Sequence, residues 1–326
     1  MSVFQDTTYA RMARRAGFLF PPLQDAAPEG VRPFRARIMN IAKRPGALLA
    51  ALLLSLPATV SAASNTLSFG VFPQLSTRAM VETYQPLAGY LSESIGHPVS
   101  LESAKDFYTF HTRTVAGEYD LVLTAPHLAW LAWKEGGYRP VLVYKEPAKG
   151  FIVVRADSAY RQLGDLHGKT IAIPDPYAVV NIRLAKTLAK NGLNLGQQLS
   201  VAEVGSHTNA ATYVSEKQAD AAVVGVFPFL QLPKEVKDNL RIIASTPDLP
   251  SHVFLVHPRT TALREQEIRL GIEKFMLGEP GSVFLKKTGF GGVRVLKKDE
   301  LKQVEGDAQE LKRRFQIQEN AAGTAK

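Results

Sequence analysis

One pattern occurs twice in this chain and limits what it can become: a helical stretch, an aspartate, then a short apolar run. In the first copy Phe107, Phe110, Thr114 and Val115 fall at helical spacing, Gly117 stops the helix, and Asp120 leads into Leu121-Val122-Leu123. A turn at Thr124-Ala125-Pro126 then opens a new helix at His127. In the second copy Ser206 caps a helix reaching about Gln218, and Asp220 leads into an apolar strand over 221–226. The economical reading of such an echo is two similar α/β lobes.

The remaining elements fall around these copies. Strands at 67–72, 99–101, 141–144 and 150–155 alternate with helices at 77–95, broken midway by Pro86, and at 127–134. The pattern restarts with a strand at 170–173, a helix after Pro176 with Val179, Ile182, Leu184 and Leu188 on its apolar face, and a strand at 199–204. Strands at 242–244 and 253–256 flank a proline-rich link, and helices at 263–277, after Pro280 and at 299–315 close the chain. This alternation predicts mainly parallel sheets covered by helices on both faces. Lobe 1 is expected at 64–148 plus 252–316 and lobe 2 at 149–251, with hinges near 144–150 and 246–251. The polar tail at 317–326 is expected to be disordered.

Residues 39–63 have the three parts of a secretory signal: Lys43-Arg44, an apolar run at 47–56, and Val60-Ser61-Ala62 before a cut near Ala63 or Ser64. Residues 1–38 lack periodicity and carry Pro21-Pro22, Pro28 and Pro33, so they read as a non-native extension ahead of a true start at Met39. The apolar run is shorter than the roughly 20 residues that span a membrane. A periplasmic protein without stable membrane insertion is expected. The absence of cysteine excludes disulfides, thiolate metal sites, a cysteine nucleophile and a lipoprotein anchor. The formal net charge of +9 is concentrated in the first 63 residues, where Arg11, Arg14, Arg15, Arg32, Arg35, Arg37, Lys43 and Arg44 face only Asp6, Asp25 and Glu29. The rest shows no basic cluster interleaved with aromatics, which argues against a nucleic-acid partner.

Enzyme signatures are missing as well: no Gly-x-Ser-x-Gly elbow, no His-Glu-x-x-His and no Walker loop occur. Gly289-Phe290-Gly291-Gly292 reads as a turn, and His252 and His257, five apart on a strand, point to opposite faces and so share no metal. Neither an enzymatic activity nor a cofactor is expected. In an open α/β sheet a ligand sits beyond the carboxyl ends of the strands, where the next helix offers unpaired backbone N–H groups. Three such ends stand out: Thr124, Ala125 and His127 in lobe 1, and Asp175, Tyr177 and Ala178 together with Ser206, His207 and Thr208 in lobe 2. Each begins a helix, which favours an anion. His127 and His207 add a donor each, with a reference pKa of about 6.5. Phe107 and Tyr177 either stack on a ligand or pack, and Asp106 either binds an amino group or caps a helix. Trp130 and Trp133 read as core or cleft wall. Asp120 and Asp220, at strand entrances, read as structural.

Several ordered features resemble one family. They are the run Tyr84-Gln85-Pro86-Leu87-Ala88-Gly89-Tyr90-Leu91 with Gly96 and Val99; Asp106-Phe107, Gly117, Asp120 and Ala125-Pro126; Val153-Val154-Arg155-Ala156-Asp157-Ser158 with Leu166 and Gly168-Lys169; and Ser206-His207-Thr208-Asn209 with Asp220. Over 67–315 the chain resembles the phosphate/phosphite/phosphonate-binding (PhnD-like) periplasmic substrate-binding proteins, of type II periplasmic-binding-protein fold. The resemblance implies a monomer that closes two lobes over a small anionic ligand and delivers it to the permease of an ABC importer. The same fold also serves as a periplasmic sensor that presents its bound state to a membrane histidine kinase, an alternative the sequence leaves open. The family's Ser-Thr-Ser-Gly run is matched by Asp175-Pro176-Tyr177-Ala178-Val179-Val180, which has no hydroxyl run. Its first-lobe tyrosine is matched by Phe107, with Tyr108 adjacent, and its histidine by His207.

Overall fold

The two aspartates of the repeated pattern act alike. One carboxylate oxygen of Asp120 accepts the Ser68 N–H at 2.9 Å, and one of Asp220 accepts the Thr170 N–H at 2.9 Å. Each aspartate also donates its own N–H to the carbonyl of the same partner. An acidic side chain thus fastens the strand it precedes to the start of a parallel neighbour in each lobe.

The computed structural model describes residues 66–297 and 299–324, with side chains described through 320; the readings for residues 1–63 lie outside the described residues. The first lobe opens with β1 (Leu67–Val71), α1 (Thr77–Ile95), β2 (Val99–Glu102), α2 (Phe107–Val115), β3 (Leu121–Thr124), α3 (Pro126–Glu135) and β4 (Arg139–Tyr144). The second comprises β5 (Gly150–Arg155), β6 (Thr170–Ile173), α4 (Val179–Ala189), β7 (Ser200–Glu203), α5 (His207–Ser215), β8 (Ala221–Gly225), α6 (Val226–Leu230), α7 (Lys234–Asp238) and β9 (Leu240–Ser245). The chain then returns through β10 (Val253–Val256), α8 (Ala262–Leu277), α9 (Glu279–Thr288), β11 (Val293–Val295) and α10 (Glu305–Thr324).

Two sheets result, ordered β11-β4-β10-β3-β1-β2 and β7-β6-β8-β5-β9. Both are mixed rather than mainly parallel. In each lobe one antiparallel guest is inserted between parallel strands: β10 lies between β3 and β4, and β5 between β8 and β9, while β11 adds an antiparallel edge beside β4 in the first sheet. Each guest is the first strand after the chain crosses from the other lobe, so it enters in the reverse direction. The two crossing segments are tied together by reciprocal backbone hydrogen bonds between Ala148 and Leu249, at 3.0 and 2.8 Å.

Central strands β3 and β10 are buried along their whole length, as expected of strands covered on both faces. Phe69 on β1 stacks with Phe254 on β10, and Val153, Ala172, Ala222 and Val224 pack against Ala210, Ala211 and Val214 of α5. Gly70 permits this close layering, because a Cβ there would stand 2.6 Å from the Tyr119 ring.

Three local readings change. Pro86 does not break α1, which is continuous; Pro86 and Glu82, whose carbonyl loses its intrahelical donor, both lie on the exposed face, so the loss leaves no buried carbonyl. The apolar run after Asp220 is a strand only to Gly225 and continues as the short helix α6. The polar tail is helical to Thr324 as part of α10, because Phe315, Gln318 and Glu319 find partners on both lobes.

Replacing Asp220 by alanine removes the acceptor of both the Thr170 N–H and the Tyr160 hydroxyl, the latter at 2.8 Å. A cost of about 1–3 kcal/mol in urea unfolding is expected. An unchanged midpoint would show that this carboxylate does not hold the two strands.

Candidate functional site

The carboxyl ends of β1, β3 and β8 and the first turns of α4 and α5 converge on a cavity of about 40 Å³, room for a few waters or one small ion. Lobe 1 contributes Phe72, Gln74, Phe107, Ala125 and Pro126. Lobe 2 contributes Ala178, Val179 and Val180 from the start of α4, His207, and the Gly225–Pro228 turn. The crossing segments contribute Ala148, Lys149 and His252.

The polar equipment of this cavity is sparse. His207 is 8% exposed, and its Nδ1 accepts the Gly225 N–H at 3.2 Å. An imidazole that accepts at Nδ1 carries its proton on Nε2, so the ring brings an Nε2–H donor to the cavity it lines. His252 is 7% exposed, its Nδ1 is buried with no hydrogen-bond partner among the described residues, and its ring is enclosed by Phe72, Phe227 and Phe290 at centroid distances of 4.9, 5.5 and 5.6 Å. Burial pushes the His207 pKa down to about 4 and that of His252 to about 3, the latter also depressed by His207 and His127. Both rings are therefore neutral at pH 7. Among the described residues Lys149 is the one lysine or arginine of the lining, and its ammonium is already paired with Asp248 at 2.6 Å. No carboxylate among the described residues belongs to the lining.

Helix ends supply the rest. Ala125 caps α3 and Ala178 caps α4, and neither helix has a side-chain cap. The amides of His127, Leu128, Val179 and Val180 therefore remain without an acceptor among the described residues, at the positive ends of two helix dipoles. Such ends hold anions without a cationic side chain. Phe72, Phe107, Phe227, Val179 and Val180 make the remaining wall apolar.

The sequence-derived candidates separate into two sets. Phe107, Ala125, Ala178 and His207 line the cavity. Tyr108, Thr124, His127, Asp175, Tyr177, Ser206 and Thr208 lie outside its lining. His127 is fully buried and donates from Nε2 to the Tyr177 carbonyl at 2.9 Å, which spans from lobe 1 to lobe 2; burial lowers its pKa to about 4. The Asp175 carboxylate accepts the Tyr177 N–H at 2.8 Å, and burial raises its pKa to about 6. The hydroxyls of Tyr108 and Tyr177 are bound by Glu319 and Gln318 of α10, at 2.8 and 2.5 Å. Thr124 is buried at the end of β3, the Ser206 hydroxyl caps α5 by accepting the Asn209 N–H at 3.1 Å, and Thr208 faces solvent. Asp106 likewise caps α2, accepting the Thr109 N–H at 2.7 Å.

Sequence reasoning passed over His252, Phe72 and the Gly225–Pro228 turn. The rule of strand carboxyl ends could have found Phe72 and Gly225, which directly follow or end β1 and β8. It could not have found His252, which precedes a strand. Among the described residues no group of three or more His, Asp or Glu side chains is placed to hold a metal.

A family model described as ABC transporter, phosphonate, periplasmic substrate-binding protein matches residues 69–301. Comparison with curated proteins finds no sequence match. Three solved structures share the architecture. A binding-protein component of an ABC phosphonate transporter from Pseudomonas aeruginosa aligns with a TM-score of 0.67 and 17% identity, over 77% of this chain and 88% of its own. PhnD1 from Prochlorococcus marinus, solved with methylphosphonate, gives 0.68 and 13%, over 76% and 98%. XAC2383 from Xanthomonas citri, solved with chloride ion, gives 0.62 and 20%, over 76% and 99%. At these identities the likeness is one of fold, that of the type II periplasmic binding proteins.

The buried rings set an expectation for acid stability. His127, His207 and His252 stay neutral when folded but take up a proton near pH 6.5 when unfolded, so the unfolded state binds more protons below that pH. Their contribution to stability is complete above pH 6.5 and is lost as the pH falls toward 4. Asp175 acts in the opposite sense, since its raised pKa favours the folded state at low pH, but it is one group against three. The thermal midpoint of the unliganded protein should fall steadily between about pH 6.5 and 4. A flat profile over that range would mean that the rings are not shielded from solvent.

Proposed function

We propose, from the premise that this chain belongs to the periplasmic substrate-binding proteins of phosphonate ABC transporters, that it binds a small oxyanion carrying a compact apolar substituent or none. Proteins of this family bind solutes and are not enzymes, and they work with a membrane permease. No helix among the described residues is long and apolar enough to cross a membrane.

The observation that carries the ligand class is the fixed tautomer of His207. Its Nδ1 is occupied by a backbone N–H, so the ring offers a donor and no charge, beside two helix ends with unpaired amides. Donors of this kind complement the oxygens of a phosphonate, phosphite or phosphate. The Phe72, Phe107, Phe227 and Val179 wall favours a methyl or hydrogen substituent over a polar one, and the small cavity favours a compact one. An aminoalkyl group would bring a cation into a lining without a carboxylate, at a desolvation cost that nothing there offsets. The hydroxyl run of the resembling family is replaced at 175–180 by the amides of α4, which supports recognition by backbone in place of side-chain hydroxyls.

Thermal unfolding against phosphate, phosphite, methylphosphonate, aminoethylphosphonate, sulfonates and small carboxylates tests this reading. A bound ligand at about 100 times its dissociation constant stabilises by roughly 2.7 kcal/mol, a shift of roughly 5 to 10 °C for a chain of this size. The largest shift is expected with phosphite or methylphosphonate. A larger shift with the aminoalkyl compound, or with carboxylates only, would overturn the assigned class. His207→Ala should weaken binding at least tenfold while the variant stays folded, and unchanged affinity would remove His207 from the site.

A further inference from the structure

The segment 175–178, which leads into the cavity-lining turn of α4, is held from outside its own lobe as well as within it, where the Asp175 carbonyl accepts the Ala178 N–H at 2.9 Å. The Pro176 carbonyl accepts a hydrogen bond from the Arg314 guanidinium at 2.7 Å, and the Tyr177 carbonyl accepts one from His127 of lobe 1 at 2.9 Å. The Tyr177 hydroxyl donates to Gln318 at 2.5 Å. Two of these three partners belong to α10, which packs against both α3 and α4, the helices whose uncapped ends border the cavity.

Helix α10 contacts both lobes. On lobe 1, Phe315 stacks on His111 at 5.1 Å and meets Tyr108 edge-on at 5.2 Å, Glu319 accepts from Tyr108, and Lys312 pairs with Glu135 at 2.8 Å. On lobe 2, the same Phe315 ring lies 4.9 Å from Tyr177. The carboxylate of Asp307, 1% exposed, holds Arg183 and Lys186 of α4, each at 2.6 Å. One aromatic ring thus sits between side chains of both lobes, and the hydrogen bonds around it require both lobes to be in place.

We propose that α10 is a latch for the ligand site, in which Phe315 and Arg314 are positioning residues that hold the 175–178 segment and the first turn of α4 against lobe 1. This rests on the reading of the cavity as an oxyanion site. The amides of Val179 and Val180 reach the ligand only when this segment is docked, so part of the measured affinity is the stability of the latch. Apparent affinity is the intrinsic affinity scaled by the fraction of molecules in the competent arrangement. A loosened latch lowers that fraction without touching any group that meets the ligand, and it shows mainly as faster release.

The test compares full-length mature wild type with Phe315→Ala, Arg314→Ala and Arg314→Lys. Small-angle scattering without ligand should show a larger radius of gyration for Phe315→Ala and Arg314→Ala, and a wild-type profile for Arg314→Lys, which keeps a donor for the Pro176 carbonyl. Binding of methylphosphonate should weaken at least tenfold in the first two, chiefly through the dissociation rate, and recover in the third. A merely structural role would lower the unliganded melting temperature and leave the scattering profile and the dissociation rate unchanged. Should Phe315→Ala fail to fold, the Arg314 pair decides alone, since that side chain is partly exposed. Wild-type scattering and wild-type affinity in Arg314→Ala would overturn the latch. If the wild type binds no member of the oxyanion panel, the ligand assignment fails while the ligand-free scattering still decides the latch.

Discussion

The position of everything in the cleft depends on one topological constraint, the insertion of an antiparallel strand between two parallel ones in each sheet. Because β10 runs against β3, its first residue Val253 pairs with Thr124, the last residue of β3. The residue before it, His252, therefore emerges beside Ala125 at the mouth of the lobe 1 strands. The same holds in lobe 2, where Gly150 of β5 pairs with Gly225 of β8 and the Val226 N–H reaches the Lys149 carbonyl at 2.9 Å. A crossing segment that ends in an antiparallel guest must open at the carboxyl ends of its parallel neighbours. The crossing segments are consequently part of the cavity wall, and a change in their conformation moves that wall directly.

That cavity is built to avoid a fixed charge. An isolated ionised side chain buried there would carry a desolvation penalty of many kcal/mol. The chain places neutral imidazoles and helix amides in the wall and neutralises Lys149 with Asp248. The His252 ring shows the cost of this choice, since its buried Nδ1 lacks a partner and an unmet polar atom of this kind costs about 1–3 kcal/mol. Partial charges at helix ends, unlike a buried arginine, attract an anion without trapping it, which suits a protein that must also release what it binds.

The legible part of this structure is the part set by local pattern. Strands 150–155, 170–173 and 253–256 coincide with β5, β6 and β10 because each is a short apolar run bounded by glycine, proline or histidine turns. The 221–226 run misleads at its end, since an apolar stretch does not say whether it is pleated or coiled, and Pro228 fits the first turn of α6. β11 escapes notice because three residues on a sheet edge carry no periodicity. Within the site, Phe107, Ala125, Ala178 and His207 could be placed from strand ends and helix starts. Tyr108 and Tyr177 could not be assigned, because their hydroxyls are taken by residues 211 and 141 positions away, on a helix whose polar composition resembles a loose tail. No local rule reports contacts of that span.

The size of the cavity explains why those distant contacts matter. A ligand that fits it has about five non-hydrogen atoms, and the best very small ligands gain at most about 1.5 kcal/mol per atom. That ceiling of roughly 7 kcal/mol must cover both the ordering of two lobes and a useful affinity. A ligand shifts an equilibrium only by its difference in affinity between the two states. If open and closed forms differed by more than a few kcal/mol, so small an anion could not close the protein and remain bound. The bonds of His127 to Tyr177 and of Arg314 to Pro176, with Phe315 between Tyr108 and Tyr177, are contacts across the lobes that form without any ligand atom. A site with few contacts therefore requires a fold with many contacts across its lobes, and α10 contributes to them through Arg314, Phe315, Gln318 and Glu319.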